Sequence, residues 1–254
     1  MEMASETWPK RAPGLSGLME GIDAPSGDAH VWLLRAPASR KEDTRTLSEL
    51  DDSERARAAS FVHRRDRLTY LSSHVALRRL LAAYLRVSPE NVRFGREACA
   101  RCGGPHGRPV LLGDQSTLHF SLSHCAGLSL FAVAGSPVGV DVEQLPDREP
   151  MDKCIARLHP MERAELTRVP YAERPMRFCR LWTRKEAYLK ALGTGLNREL
   201  GRDYLGDGRN GDSPKRPDGW TVLNLPCGPE DNTHAAAIAI PAGMRAPDAV
   251  RELH

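Results

Sequence analysis

LSLFAVA (Leu128–Ala134), GSP (Gly135–Pro137) and VGVDVE (Val138–Glu143) follow one another without a gap, and their reading decides the architecture. The first run is apolar apart from Ser129 and predicts a buried strand. Pro137 then acts as punctuation. The third run alternates, with Val138, Val140 and Val142 on one face and Asp141 and Glu143 on the other, which predicts another strand. Two strands divided by a proline stop place a lobe boundary near residue 136.

The same pattern extends in both directions. Upstream, HVWLLR (His30–Arg35) predicts a first buried strand. A long helical stretch follows over Ser53–Arg86, with Asp51, Asp52 or Ser53 as N-cap. Phe61, Leu68, Leu71 and Val75 mark its inner face. Arg55, Arg57, Arg64, Arg65, Arg67, Arg78 and Arg79 crowd the remainder, as on a solvated helix face. Gly95–Pro109 is expected as a loop, and LHFSLSH (Leu118–His124) alternates like a strand. Downstream, Met161–Arg168 and Phe178–Leu192 predict helices, and Asp203–Gly219 predicts a mobile loop. Trp220–Leu225 and His234–Ile240 predict closing strands.

Element order is thus similar in the two halves. It predicts an α+β fold of two similar, pseudo-symmetric lobes. Each would be a small, mainly antiparallel sheet packed on a long helix, with a ligand cleft between them. The expected segments are a loose leader (1–27), an N-terminal lobe (28–136), a C-terminal lobe (137–245) and a tail (246–254).

Composition narrows the function classes. The chain has 254 residues, 41% of them hydrophobic, enough for one large domain or two small ones. Lys and Arg number 36 against 33 for Asp and Glu, a net charge of +3. That balance carries no whole-protein signal for nucleic acid, so any anion site must be local. No run approaches ~18 consecutive apolar residues, so no membrane span is expected. Met1–Leu18 lacks an apolar run of signal-peptide length, which predicts a cytoplasmic protein with reduced cysteines. Cys125, Cys154, Cys179 and Cys227 are scattered and read as small core residues. The two-lobe form is compatible with a monomer.

Asp141 and Glu143 project from one face of an apolar strand. Two readings are open. They are solvated acids at a strand end, or they are carboxylates that a cation neutralises. Two or three carboxylates, waters and substrate phosphate oxygens make the usual magnesium environment. Glu186, in WTRKEAYLK (Trp182–Lys190), offers a third carboxylate. Glu186 and Lys190 lie four apart on one helix face. They are either a surface ion pair or a carboxylate and a cation set beside a metal-bound pyrophosphate. Gly193-Thr194-Gly195 follows the helix and reads as its C-cap, since a phosphate loop would open a helix.

Three motifs, in order, are similar to those of the surfactin-type 4'-phosphopantetheinyl transferase family. They are Phe120-Ser121-Leu122-Ser123-His124, Gly139-Val140-Asp141-Val142-Glu143 and Trp182–Lys190. Gly107-Arg108-Pro109-Val110-Leu111 is a weaker fourth match, and Arg57 with Phe61–Asp66 resembles the family's early helix. The resemblance spans roughly residues 50–196. It implies transfer of 4'-phosphopantetheine from coenzyme A to a serine of an acyl or peptidyl carrier protein, with release of 3',5'-ADP. It implies magnesium, or manganese, held by Asp141, Glu143 and Glu186 against the pyrophosphate. Glu186 would help remove the serine proton, and Lys190 would neutralise the leaving oxygen. Coenzyme A contacts would come from Arg57, Arg64, Arg108, Ser123, His124, Lys185 and Lys190, beside Asp141 and Glu186. Ser121 stands where the family has Asn. Glu54 or Thr69 stands where a second basic residue is common, with Arg64 or Arg67 one turn away.

Two other functions use the same residues. A metal-dependent phosphate-ester hydrolase would turn over without a carrier protein. A non-catalytic coenzyme A or carrier-binding module would not need Asp141, Glu186 and Lys190 together. Cys99-Ala100-Arg101-Cys102, with His106, has zinc-like spacing, but a structural zinc needs four ligands. Cys125 or His119 would have to complete the set. The expected form is a tight turn leading to Gly107-Arg108-Pro109.

Overall fold

The computed structural model describes residues 10–11, 21–35, 47–99, 102–105, 107–113, 118–208 and 217–253. Most of the expected leader, residues 209–216 of the expected mobile loop, and Ala100, Arg101 and His106 of the cysteine loop lie outside the described residues.

The strands are β1 (Lys10–Arg11), β2 (Ala29–Arg35), β3 (Phe94–Arg96), β4 (Pro109–Leu111), β5 (His119–Cys125), β6 (Leu128–Ala134), β7 (Gly139–Gln144), β8 (Trp220–Leu225), β9 (His234–Pro241) and β10 (Val250–Leu253). The helices are α1 (Asp52–Ala59), α2 (Arg64–Leu85), α3 (Arg148–Ile155), α4 (Pro160–Arg168) and α5 (Arg174–Leu192). One sheet has the order β1-β10-β2-β6-β5, another β7-β9-β8, and β3 and β4 form a hairpin. The chain is α+β, with small sheets each backed by a long helix.

Alternation along the strands builds four layers. Trp32, Leu34, Phe120, Phe131 and Val133 face α2, where Leu77, Leu80 and Leu81 meet them. Val31, Leu33, Leu130 and Ala132 point the other way, onto Val138, Val140 and Val142 of β7 and Ile238 and Ile240 of β9. The two sheets therefore share a core. On the far side of the second sheet, Ala237 and Ala239 pack on Ala187, Tyr188 and Ala191 of α5. Each buried Val or Leu contributes about 1.5–3 kcal/mol before entropic costs, so the valine face of β7 anchors that strand firmly.

The stretch expected as one helix over Ser53–Arg86 is two. Asp51 caps α1 with a capping box: its carboxylate accepts from the Glu54 amide at 2.9 Å, and Glu54 accepts from the Asp51 amide at 3.0 Å. The helix ends at Ser60, and the turn tucks Phe61 against Tyr70, with ring centroids 5.4 Å apart. Packing of α1 back onto α2 through Ala58, Phe61, Tyr70 and Leu71 wins over helix continuity. Arg78 departs from the solvated arginine face. It is 1% exposed and donates to Glu54 at 2.6 Å and to Asp51 at 2.9 Å.

Within the segment expected as a tail, Val250–Leu253 is a strand. It inserts between β1 and β2, parallel to both. Val250 joins the inter-sheet core and Leu253 the core on α2. Within the loop expected over Gly95–Pro109, β3 and β4 pair through the Gly95–Val110 register. Among the described residues, no helix is long and apolar enough to cross a membrane.

One close approach positions the site. A Cβ built on Gly139 would lie 2.0 Å from the Ala187 carbonyl oxygen and 2.5 Å from the Ala191 amide nitrogen. Only glycine lets β7 run this near α5. Gly139→Ala is expected to cost about 1–3 kcal/mol or more, as in overpacked cores, because both colliding groups are backbone. Urea unfolding checks this, and an unchanged midpoint would show that the approach is loose.

Candidate active site

Asp141 sits mid-strand in β7 and is 2% exposed. A carboxylate there is costly unless its oxygens are satisfied. Oδ1 accepts from Ser123 Oγ at 2.7 Å and from Lys190 Nζ at 2.7 Å. Oδ2 is buried and has no hydrogen-bond partner among the described residues. Ser121, two residues before Ser123 on β5, accepts from the Val140 amide at 3.0 Å. Both inward serines of β5 thus hold β7, one by its backbone and one by its acid.

Glu143 and Glu186 complete an electrostatic group. Burial pushes the Glu143 carboxyl up to about 7, and repulsion from Asp141 and Glu186 adds to it. Burial raises Glu186 to about 6, with Asp141 contributing. Lys190 opposes both shifts. Three carboxylates share one ammonium. Lys190, which sequence spacing pairs with Glu186 on the helix surface, instead reaches across to Asp141. Among the described residues, no three His, Cys, Asp or Glu side chains are gathered as a ready metal shell. Magnesium is commonly held by only one or two carboxylates together with substrate phosphates and waters. An orphaned buried oxygen amid repelling acids fits such an ion.

Lys190 also lines a cleft of about 700 Å³. The start of α1 with its cap, Tyr70 and His74 of α2, the β3–β4 hairpin, β5, and Gly193, Thr194, Gly195 and Asn197 line it as well. His124 lies on the face of β5 that looks toward α2. Burial lowers its pKa, and His74 and Lys190 lower it further. Arg108 lines the cleft, donating to the Ala191 carbonyl at 2.9 Å and to Glu97 at 2.6 Å. It ties the hairpin to the end of α5.

Other expected contacts lie elsewhere. Arg57 is exposed, with its guanidinium 5.0 Å from the Phe61 ring, and Arg64 is exposed at the start of α2. Neither lines the cleft. Lys185, expected to contact coenzyme A, is turned into the core. It is 2% exposed, ion-pairs with fully buried Glu162 at 2.9 Å, and donates to the Leu200 and Asp203 carbonyls. Helical geometry explains this, since adjacent residues sit about 100° apart and Glu186 takes the face toward β7. Sequence reasoning missed Tyr70 and His74, whose rings stack with centroids 3.9 Å apart at the cleft wall. The i,i+4 aromatic pair was the available signal. Among the described residues of the cysteine loop, the Cys99 amide donates to Gly104 O and the Gly103 amide to Cys99 O, both at 2.8 Å.

A family profile described as "4'-phosphopantetheinyl transferase, N-terminal" matches residues 37–137. The profile of the 4'-phosphopantetheinyl transferase superfamily matches residues 137–213. The 4'-phosphopantetheinyl transferase HetI of Nostoc sp. is 32% identical over 249 residues, covering 94% of this chain and 95% of the relative.

The chain belongs to the 4'-phosphopantetheinyl transferase family.

The 4'-phosphopantetheinyl transferase Sfp of Bacillus subtilis is a more distant relative, 25% identical over 65% of this chain and 69% of its own. The 4'-phosphopantetheinyl transferase gsp of Aneurinibacillus migulanus is 28% identical over 54% of this chain and 53% of its own. Enzymes of the family move phosphopantetheine from coenzyme A to carrier proteins, and this protein is a transferase of that class.

The raised carboxyls give the transferase a characteristic pH response. Glu143 and Glu186 bind protons more tightly in the folded chain than at their ordinary value of 4.5. Each therefore adds stability that is fully present below 4.5 and is lost as pH rises through about 6 for Glu186 and about 7 for Glu143. In chelator, the melting temperature of Glu143→Gln should exceed that of the native chain by several degrees at pH 8 and converge with it near pH 5. A constant difference across that range would contradict the assignment.

Proposed function

We propose that the protein transfers 4'-phosphopantetheine from coenzyme A to a serine of an acyl or peptidyl carrier protein, releasing 3',5'-ADP. Asp141, Glu143 and Glu186 would hold magnesium, or manganese, against the coenzyme A pyrophosphate. The observation that carries this reading is Asp141, with one oxygen held by Ser123 and Lys190 and the other buried without a partner. A bound divalent ion supplies charge neutralisation at a pyrophosphate.

The chain's own residues do the rest. Coenzyme A would lie along Lys190, in the cleft that α2 and the end of α5 border. A carboxyl raised to about 6 is ionised at neutral pH yet more basic than an ordinary glutamate, so Glu186 is suited to take the serine proton. Lys190 reaches both Asp141 and the cleft, where its ammonium would offset charge developing on the departing phosphate oxygen. His124, on the face of β5 toward α2, would hydrogen-bond the nucleotide, and its lowered pKa favours the uncharged ring for that contact. Phosphoryl-type transfer asks for positioning and charge neutralisation more than for covalent chemistry.

The purified protein, given coenzyme A, magnesium and an apo carrier, should raise the carrier mass by one phosphopantetheine. EDTA should abolish the gain. A coenzyme A loss that needs no carrier would favour a hydrolase and overturn the proposal. Glu186→Gln should lower kcat about 10²–10⁴-fold, the range for a lost general base, and near-normal turnover would remove Glu186 from that role. Lys190→Ala should lower kcat more than it raises KM for coenzyme A. An equal loss in both would make Lys190 a binding residue only.

A further inference from the structure

We propose that Ser123 is a positioning residue that aims Asp141, occupying Oδ1 jointly with Lys190 so that Oδ2 alone is offered to the divalent ion. The inference rests on the metal reading above and goes beyond it by assigning Ser123 a task other than touching coenzyme A.

The geometry is specific. Ser123 is 8% exposed and Asp141 is 2% exposed, so their 2.7 Å hydrogen bond is shielded from water. A carboxylate on a single strand residue is free to turn about its terminal bond, since that torsion is broad and roughly two-fold. Two donors on one oxygen remove that freedom. One is the hydroxyl from β5 across the lobe contact, and the other is the ammonium from α5 on the opposite side of the strand. They come from elements that do not share a sheet with one another. Their agreement on Oδ1 leaves Oδ2 as the orphaned buried oxygen. Ser121 sets the reach of Ser123, because its bond to the Val140 amide at 3.0 Å fixes β5 against β7 one residue before the acid. Outer partners of metal-ligating carboxylates commonly tune affinity in this way.

The test is Mn²⁺ titration of the full chain by electron paramagnetic resonance, with and without coenzyme A. Ser123→Ala should weaken Mn²⁺ binding about 10–100-fold, the usual cost of losing such a partner. Ser123→Thr, which keeps the hydroxyl, should restore most of that loss. Binding of 3',5'-ADP in EDTA should be the same in Ser123→Ala and the native chain, and so should the melting temperature in EDTA to within a few degrees. If Ser123→Ala binds Mn²⁺ as the native chain does, while Asp141→Asn does not, Ser123 does not aim the acid and the metal reading survives. If Ser123→Ala loses 3',5'-ADP affinity in EDTA but keeps Mn²⁺ affinity, Ser123 is a nucleotide contact and the proposal is wrong. If the native chain shows no saturable Mn²⁺ binding in either condition, the metal reading fails and takes this inference with it.

Discussion

The nearness of β7 to α5 at Gly139 is the constraint on which the site depends. With no side chain between them, the strand and the helix bring their backbones almost into contact. Asp141, two residues further along the same strand face, then meets Lys190 of the helix at 2.7 Å and falls within the field of Glu186. Had a larger residue stood at 139, the two elements would part, and the acids would belong to two separate surfaces.

That closeness has an energetic cost. Glu143 and Glu186 are lifted to about 7 and about 6 because burial and mutual repulsion both disfavour their charge. The opposite face of β7 offsets this cost. Val138, Val140 and Val142 are each at most 1% exposed and lock the strand into the core shared by the two sheets. The same strand therefore carries a stabilising face and a strained, charged face, which is the usual division in proteins whose sites oppose local stability. Buried staples elsewhere relieve the frame. Lys185 and Glu162 clamp α5 to α4 and to the segment at 200–205, and Arg78 binds α1 to α2.

Much of this was legible in the sequence because period-2 alternation is a local signal. LSLFAVA, VGVDVE, WTVLNL and HAAAIAI formed strands at or within a residue of their expected bounds. The acid face of β7 followed from alternation alone. What the sequence concealed was set by distant contacts. The break between α1 and α2 depends on Phe61 finding Tyr70, and a continuous helical period gave no sign of it. VREL at 250–253 is too short and too polar to announce a strand, and becomes one only because β2 has an open edge. Arg78 looks like a surface cation, and Lys185 like a coenzyme A contact, until Glu54 and Glu162 are found opposite them. The family motifs carried the identity of the acids and of Lys190. They did not reveal that two donors converge on a single oxygen of Asp141.

The most direct test of the account is anomalous diffraction from crystals grown with Mn²⁺ and coenzyme A. A manganese peak should lie within coordination distance of Asp141 Oδ2, flanked by Glu143, Glu186 and the pyrophosphate. A peak remote from Asp141, or a pyrophosphate bound with no ion beside these acids, would contradict it.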